Sequence, residues 1–346
     1  MTASPERATR ILLVRRPQGV PVAEDFRLDE APVPAPGPGE VLVRTIWLSL
    51  DPYMRGRMND GLSYAAPVQL GEVMQGECVG VVEASRADGL APGDFVRGHG
   101  GWQSRFVLPA ARLTRLDPAE APLSTALGVL GMPGLTAYAG LHGIAKPKPG
   151  ETVVVGAASG AVGAIAGQMA KLGGCRVVGV AGGVDKCAYV ETELGFDRCL
   201  DRREPDLAGR LRQACPDGVD VYVELVGGEL LWAVLPLFNL HARVPVIGTI
   251  AWYNLASLPD GPDRSPQLMR AVLTKRLKIE GMIVYDFAHL EAEFRRTTIP
   301  WVRDGQVKFK EDIVDGLQNA PGALIGMLEG RNFGKLLVQV SPDPTR

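Results

Sequence analysis

The chain has 346 residues, enough for two domains each with its own core. It is 46% hydrophobic and 22% charged, ordinary for a globular protein, and its net charge of −2 gives no electrostatic reason to expect a nucleic-acid or anionic-membrane partner. No apolar run reaches spanning length, the N-terminal stretch lacks a signal peptide's apolar centre, and the 5 cysteines lack paired spacing, so a reducing compartment, by default the cytoplasm, is expected.

The first third is rich in Pro, Gly and short strands. Phe26–Leu28 and Glu40–Leu48 read as strands joined by the turn-rich Pro34–Gly39, and Glu77–Ala84 and Asp94–Arg97 read as strands joined through Pro92-Gly93. Several short strands with turn signals predict a compact, barrel-like β domain. Helical segments follow at Leu123–Leu130 and Leu135–Gly143.

From Thr152 strands and helices alternate. Strands are expected at Thr152–Val155, Arg176–Ala181, Arg198–Leu200, Val219–Leu225, Arg243–Gly248 and Lys278–Tyr285. Helices are expected near Val162–Lys171, Asp185–Leu194, Pro205–Cys215, Glu229–Phe238, Pro266–Thr274 (capped by Ser265) and Phe287–Arg303. This rhythm predicts a mostly parallel sheet covered on both faces. Pro245 sits awkwardly inside its strand and marks an edge or a bulge. After Gly305 short strands at Val307–Phe309 and Lys335–Val340 flank a helix near Ile313–Leu328, and this tail is expected to rejoin the first domain.

The most informative stretch is Thr152–Lys171. A β-branched strand runs into Gly156-Ala-Ala-Ser-Gly160-Ala-Val-Gly163, and a helix follows until Gly173-Gly174. Strand, glycine turn and helix in that order form a dinucleotide-binding context. The helix N-terminus offers free N–H groups and the positive end of its dipole. Gly160 lets the backbone approach a pyrophosphate, and Gly163 lets the helix pack close to the strand. The usual first glycine of the fingerprint is Ala158 here.

The second strand decides the cofactor. An NAD site places a carboxylate at its tip for the ribose 2′-OH. This chain has Gly182-Gly183-Val184-Asp185-Lys186, with Asp185 read as the N-cap of the next helix. Lys186 alone is most simply a solvated lysine. With the carboxylate missing, it points to a 2′-phosphate and hence to NADP(H).

No compact metal-ligand set appears among the 4 histidines and 5 cysteines, so no metal is expected. The remaining groups that could do chemistry are tyrosines. Tyr53 follows Leu50-Asp51-Pro52, Tyr64 lies in a loop, and Tyr253 follows a parallel strand, where ligands bind. A phenol can donate to a developing oxyanion, though each of these could equally be an ordinary half-buried tyrosine.

Taken together, Asp51-Pro-Tyr-Met-Arg55, the glycine loop, Gly182–Lys186, Val226-Gly-Gly228, Tyr253-Asn254 and Asn332-Phe-Gly-Lys335 resemble the zinc-independent medium-chain dehydrogenase/reductases. The likeness is to the branch of prostaglandin reductases, plant double-bond reductases and bacterial curcumin reductase, and runs from Arg10 to Val340. It implies an α/β protein with a GroES-like domain (residues 1–130 and 306–346) and a Rossmann domain (131–305), usually paired as a homodimer through the Rossmann sheet edge. It implies that Gly160, Ala161, Val162 and Gly163 meet the pyrophosphate and Lys186 the 2′-phosphate. Ile247, Gly248, Thr249, Ile250 and Tyr253 lie along the cofactor with Met282, Ile283 and Val284, and Asn332 bonds the nicotinamide end. Zinc-dependent relatives carry Cys near Asp51 and a His-Glu pair near Gln75–Glu77, and Gln75 does not fit there. Two positions depart from the branch. Leu225 replaces an Asn, and Arg202 stands where a Tyr often lies beside the 2′-phosphate.

The resulting expectation is an NADPH-dependent enone/enal reductase. Hydride goes to the β carbon of a C=C conjugated to a carbonyl, and the enolate is stabilised by a tyrosine or ribose hydroxyl, without metal. Tyr53, Tyr64 and Tyr253 are the candidate catalytic residues. A quinone reductase on the same fold and a non-catalytic NADPH-binding protein are the alternatives. Substrate choice is expected to depend on the loops Asn59–Pro67 and Ala256–Pro266.

Overall fold

The computed structural model describes residues 6–61, 63–257, 259 and 261–346, so Leu62, Leu258 and Asp260 of the two expected substrate loops lie outside the described residues. The chain divides into two compact units. One is the chain up to Leu127 with Glu311–Asn332 and Leu336–Arg346, and the other is Gly128–Lys310 with Phe333–Lys335.

In the first unit β1 (Arg7–Leu13) and β2 (Phe26–Pro32) form an antiparallel pair, Arg7 opposite Pro32 and Leu13 opposite Phe26. The centre of the main sheet is β3 (Glu40–Ser49), followed by the short helix α1 (Tyr53–Arg57). Next come β4 (Cys78–Ser85), β5 (Phe95–Gly98), β6 (Arg105–Pro109) and β7 (Thr114–Leu116). Register shifts at Leu42/Val43 and Thr45/Trp47 let β3 serve two cores. Val41, Val43 and Leu48 pack into one, while Ile46 and Trp47 pack into the other with Leu123 and Leu127. Gly80 is needed opposite them, because a Cβ there would lie 2.3 Å from the Arg44 carbonyl oxygen.

The second unit opens with α2 (Met132–Tyr138), which runs on as a π-helical segment, Ala139–Ala145. Its strands and helices are β8 (Thr152–Val155), α3 (Gly163–Leu172), β9 (Arg176–Ala181), α4 (Val184–Thr192), β10 (Arg198–Asp201), α5 (Leu207–Ala214) and β11 (Val219–Val223). They continue with α6 (Gly228–Val234), β12 (Phe238–Val246), α7 (Ser265–Lys275), β13 (Lys278–Gly281) and α8 (Glu291–Arg303). The six strands are parallel in the order β10-β9-β8-β11-β12-β13, and all of β8 is buried. The chain leaves β8 toward β9 and returns on its other side at β11. Such a switch point opens a ligand crevice beyond the strands' carboxyl ends. The tail adds β14 (Glu311–Asp315), α9 (Ala320–Leu328) and β15 (Lys335–Gln339), and β14 and β15 extend the sheet of the first unit.

Several sequence expectations are corrected. Leu123–Leu127 is a 3-10 turn rather than part of a longer helix. Gly183, with φ 111°, precedes α4 and leaves Asp185 in its first turn, where its charge suits the dipole without capping. Ser265 is already helical, and its N–H donates to Asp263. The strand from Lys278 ends at Gly281, and the chain from Val284 to Leu290 is 3-10-like, broken at Phe287 before α8. Val307–Phe309 is not a strand. The Lys308 N–H and carbonyl instead bond the Gln168 side chain, and β14 takes the place of the first turn of the expected helix. Pro245 lies in an interior strand. Regular pairing of β11 with β12 stops at Val221–Arg243 and resumes as one bridge, Glu224–Val246, so the missing N–H falls where the ladder is already interrupted.

Candidate functional site

The glycine loop is built on close backbone approaches. Ala157 has φ 46°, and its carbonyl oxygen turns back under the helix. A Cβ on Gly163 would lie 2.5 Å from that oxygen and 2.9 Å from the Gly156 oxygen, and one on Gly160 would lie 3.1 Å from the Ala157 oxygen. The departure at Ala158 is accommodated by β9: its N–H donates to Val180, and its methyl lies 2.8 Å from where a Gly179 Cβ would stand. α3 therefore begins at Gly163, shortly beyond β8, with Val162 as its N-cap, and a helix N-terminus leaves its first N–H groups without intrahelical acceptors.

At the β9 tip the turn Gly182-Gly183 is pinned by Asp201, whose carboxylate accepts from the Gly183 N–H at 2.8 Å and the Arg203 N–H at 2.9 Å. Burial works against that charge, but the two N–H donors and the adjacent arginines outweigh it and hold the carboxyl below its ordinary range. Asp201 thus serves the turn. Arg202 lies over Gly182, its Nε 3.2 Å from an ideal Cβ there, and Arg203 lies over Gly183 at 3.1 Å. With half-buried Lys186 these are three cations at one strand tip. Arg203 was missed in the sequence because its place beside Gly183 depends on the parallel pairing of β10 with β9.

On the other side of β8, Glu224 follows β11. Its Oε1 accepts from the Tyr222 hydroxyl at 3.0 Å and from the Val226 and Gly227 N–H groups at 2.7 Å each. Its carbonyl accepts from the Ile247 and Gly248 N–H groups at 2.9 and 3.2 Å. The segment Ile247–Tyr253 consequently lies against the Leu225–Gly228 turn. Leu225 keeps only a main-chain role there, its carbonyl accepting from Ile250 at 3.4 Å. The Tyr253 hydroxyl accepts from the Thr249 N–H at 3.3 Å, so this phenol is folded back over its own turn. Met282 is tied in through its N–H to Val246 at 3.1 Å, and half-buried Ile283 and Val284 follow.

The Asn332 motif is organised around Gly334. That residue bridges Gly160 of the glycine loop, and a Cβ on it would lie 2.2 Å from the Lys310 carbonyl oxygen, which accepts from the Lys335 N–H at 2.8 Å. The Lys310 ammonium lies 4.7 Å from the Phe333 ring centre, and Tyr189 meets Phe333 edge-on at 5.1 Å. Asn332 directly precedes this anchored segment and is half-buried.

In the first unit α1 brings Tyr53 and Tyr64 to one guanidinium. Arg57, only 4% exposed, lies 5.6 Å from the Tyr53 ring centre and 4.4 Å from that of Tyr64, and it donates to the Ala65 carbonyl at 3.2 Å. Tyr64 itself is 53% exposed. Tyr253 belongs to the second unit. Asp51 is buried and accepts from Ser49, and Glu77 pairs with Arg97 at 3.3 Å. Among the described residues no group of three or more His, Cys, Asp or Glu side chains could hold a metal ion.

The donor set fits a dinucleotide carrying a 2′-phosphate. The helix N-terminus, Gly163 with no room for a Cβ, and Gly160 with little room suit a pyrophosphate, and Lys186, Arg202 and Arg203 suit a further phosphate. Fold and site define a Rossmann-type, NADP-dependent oxidoreductase. A family profile described as "N-terminal domain of oxidoreductase" matches residues 9–116, and one described as "Zinc-binding dehydrogenase" matches residues 161–303. The chain is 50% identical over 339 residues to the NADPH-dependent curcumin reductase of Escherichia coli K12, covering 98% of both chains. It is 41% identical to a 2-alkenal reductase (NADP(+)-dependent) of Nicotiana tabacum, covering 88% of each. The crystal structure of CurA from Vibrio vulnificus in complex with NADPH superposes with a TM-score of 0.94 at 47% identity, covering 98% of this chain and 100% of that one. The chain belongs to the medium-chain dehydrogenase/reductase family. Its cofactor is NADP(H).

Proposed function

We propose that this enzyme reduces the C=C bond of α,β-unsaturated ketones and aldehydes. The observation that carries the reading is 50% identity along essentially the whole chain to a curcumin reductase, in a chain that carries three candidate tyrosines. Bound NADPH supplies the hydride, which goes to the β carbon. The glycine loop orients the pyrophosphate, and Lys186, Arg202 and Arg203 select the 2′-phosphate. Ile247, Gly248, Thr249, Ile250, Met282, Ile283, Val284 and Asn332 line the rest of the cofactor. As negative charge builds on the substrate's carbonyl oxygen, a phenol O–H of Tyr53 or Tyr253 donates to it, and Tyr64 lines the substrate. The α carbon takes its proton from solvent or from a tyrosine.

Support for the tyrosine assignment comes from Arg57, which holds Tyr53 and Tyr64 at one place on the first unit, assigned here as the GroES-like substrate domain. The enzyme is further proposed to be a homodimer in the cytoplasm. β13 is the outer strand of its sheet with all four residues exposed, a free edge that a second copy can extend. The test is NADPH consumption at 340 nm with 4-hydroxynonenal and with a quinone, products identified by mass spectrometry. The Tyr53→Phe, Tyr64→Phe and Tyr253→Phe variants are compared with wild type. The reading requires a saturated carbonyl product and a drop in kcat/KM for at least one variant, about 100- to 1,000-fold for a lost oxyanion donor. Turnover of quinones alone would transfer the site to quinone reduction.

A further inference from the structure

Glu224 is a carboxyl group in a place where a charge is hard to hold. It is 2% exposed, and among the described residues no Lys, Arg or His pairs with it. The distribution of its hydrogen bonds is uneven. All three side-chain contacts fall on Oε1, while Oε2 is buried with no partner among the described residues. An ionised carboxylate has two equivalent oxygens that both demand donors, whereas a neutral acid has one carbonyl oxygen that accepts and one hydroxyl. The donors on Oε1 favour the charge, but a buried, partnerless Oε2 with no cation beside it costs a charged oxygen more than it costs a neutral hydroxyl, and this favours the neutral acid. Burial pushes this carboxyl up, against the opposing pull of the Gly227, Val226 and Tyr222 donors.

The group's position gives that state a purpose. Glu224 directly follows β11 at the switch point of the sheet, and three pieces of chain hang on it. Its carboxyl oxygen holds the turn at Val226-Gly227, where Gly227 and Gly228 both have positive φ, of 71° and 58°. Its carbonyl holds Ile247 and Gly248, and its N–H donates to Pro245 at 3.1 Å. Through Tyr222, whose hydroxyl lies 3.6 Å from an ideal Cβ on Gly156, the same group reaches the start of the glycine loop. An ionised carboxylate here would set a negative charge beneath a groove that takes an anionic cofactor.

We propose that Glu224 is a positioning residue that works as an uncharged carboxylic acid, tying the Val226–Gly228 turn and the Ile247–Gly248 segment into one groove wall for NADP(H). This rests on cofactor binding and not on the enone reading, so absence of enone turnover leaves its test intact.

The test combines infrared spectroscopy with direct NADPH titration. Near neutral pH the wild-type spectrum should carry a carboxylic-acid carbonyl stretch that is missing from Glu224→Gln. Glu224→Gln keeps a neutral acceptor of the same shape and should bind NADPH within about threefold of wild type. Glu224→Met keeps bulk without an acceptor, and should weaken NADPH by about tenfold or more (about 1.4 kcal/mol) while remaining folded. In steady state it should raise KM for NADPH and leave kcat at saturating NADPH little changed, a split that general loosening would not produce. The proposal fails if the band is absent, if Glu224→Gln loses tenfold affinity, or if folded Glu224→Met binds NADPH as wild type does. Should Glu224→Met not fold, the spectrum and the Gln variant decide alone.

Discussion

Adding one methyl group should have opposite consequences at two helical glycines. At Gly163 the new Cβ of an alanine would stand 2.5 Å from the Ala157 oxygen and 2.9 Å from the Gly156 oxygen, both backbone atoms that cannot rotate away. The start of α3 must lift off the loop by several tenths of an ångström. Alanine gains about 1 kcal/mol of helix propensity over glycine, and backbone overpacking costs about 1–3 kcal/mol, so the net effect is a loss of up to about 2 kcal/mol. At about 2–4 °C per kcal/mol, Tm should fall by up to roughly 8 °C. The larger effect is expected on the cofactor, because the displaced N–H groups are those proposed to meet the pyrophosphate. A loss of about 1.5–3 kcal/mol in charge-assisted hydrogen bonding weakens NADPH by about 10- to 100-fold. Gly322 in α9 has nothing within 4 Å of an ideal Cβ, so Gly322→Ala should stabilise by about 0.5–1 kcal/mol and leave NADPH binding unchanged. Calorimetry and fluorescence titration of both variants decide the matter. A Gly163→Ala enzyme with wild-type Tm and wild-type NADPH affinity would refute the close-approach argument.

Three further outcomes are expected. Arg203→Ala and Lys186→Ala should each weaken NADPH about tenfold or more and leave NADH nearly unchanged, with a shallower salt dependence. Equal losses for both cofactors in parallel titrations would remove these cations from the 2′-phosphate. Glu151 receives Arg243 at 2.5 Å and 3.1 Å; burial opposes its charge, but that guanidinium holds the carboxyl below its ordinary 4.5. Its contribution is therefore present above pH 4.5 and lost as pH falls through the lower, folded value. Glu151→Gln should lower stability by about 1 kcal/mol near neutral pH, allowing for solvent screening, and urea melts should show the gap closing in acid. Ile279→Lys, on the exposed edge strand, should convert a dimer to monomer in light scattering, and a variant that stays dimeric would place the interface elsewhere.

What the sequence by itself determined about this protein is mostly local. β8, the glycine loop and α3 lie within a few residues of one another, so apolar period, glycine spacing and helix stop were enough to find them. The missing carboxylate after β9 likewise lies beside Lys186, and NADP(H) followed from those adjacent positions. Order of elements predicted the parallel sheet because each crossover is a short strand–helix–strand unit. Boundaries set by partners were not legible. Val307–Phe309 has a strand's composition, yet its backbone groups are spent on Gln168, far back in the chain. Lys278–Tyr285 reads as one strand, but its pairing with β12 ends at Gly281 opposite Val246.

Only the tertiary structure decided the rest, since these features need residues from separate elements at one point. Pairing of β10 with β9 brings Arg203 to the Gly183 turn, and α1 with the following loop puts Arg57 against two tyrosines. Gly179 makes the room that lets Ala158 stand where the fingerprint asks for glycine. Glu224, one apolar-strand neighbour among many in the sequence, becomes the knot of the groove wall because burial and one-sided hydrogen bonding exist only once β11 and β12 are paired.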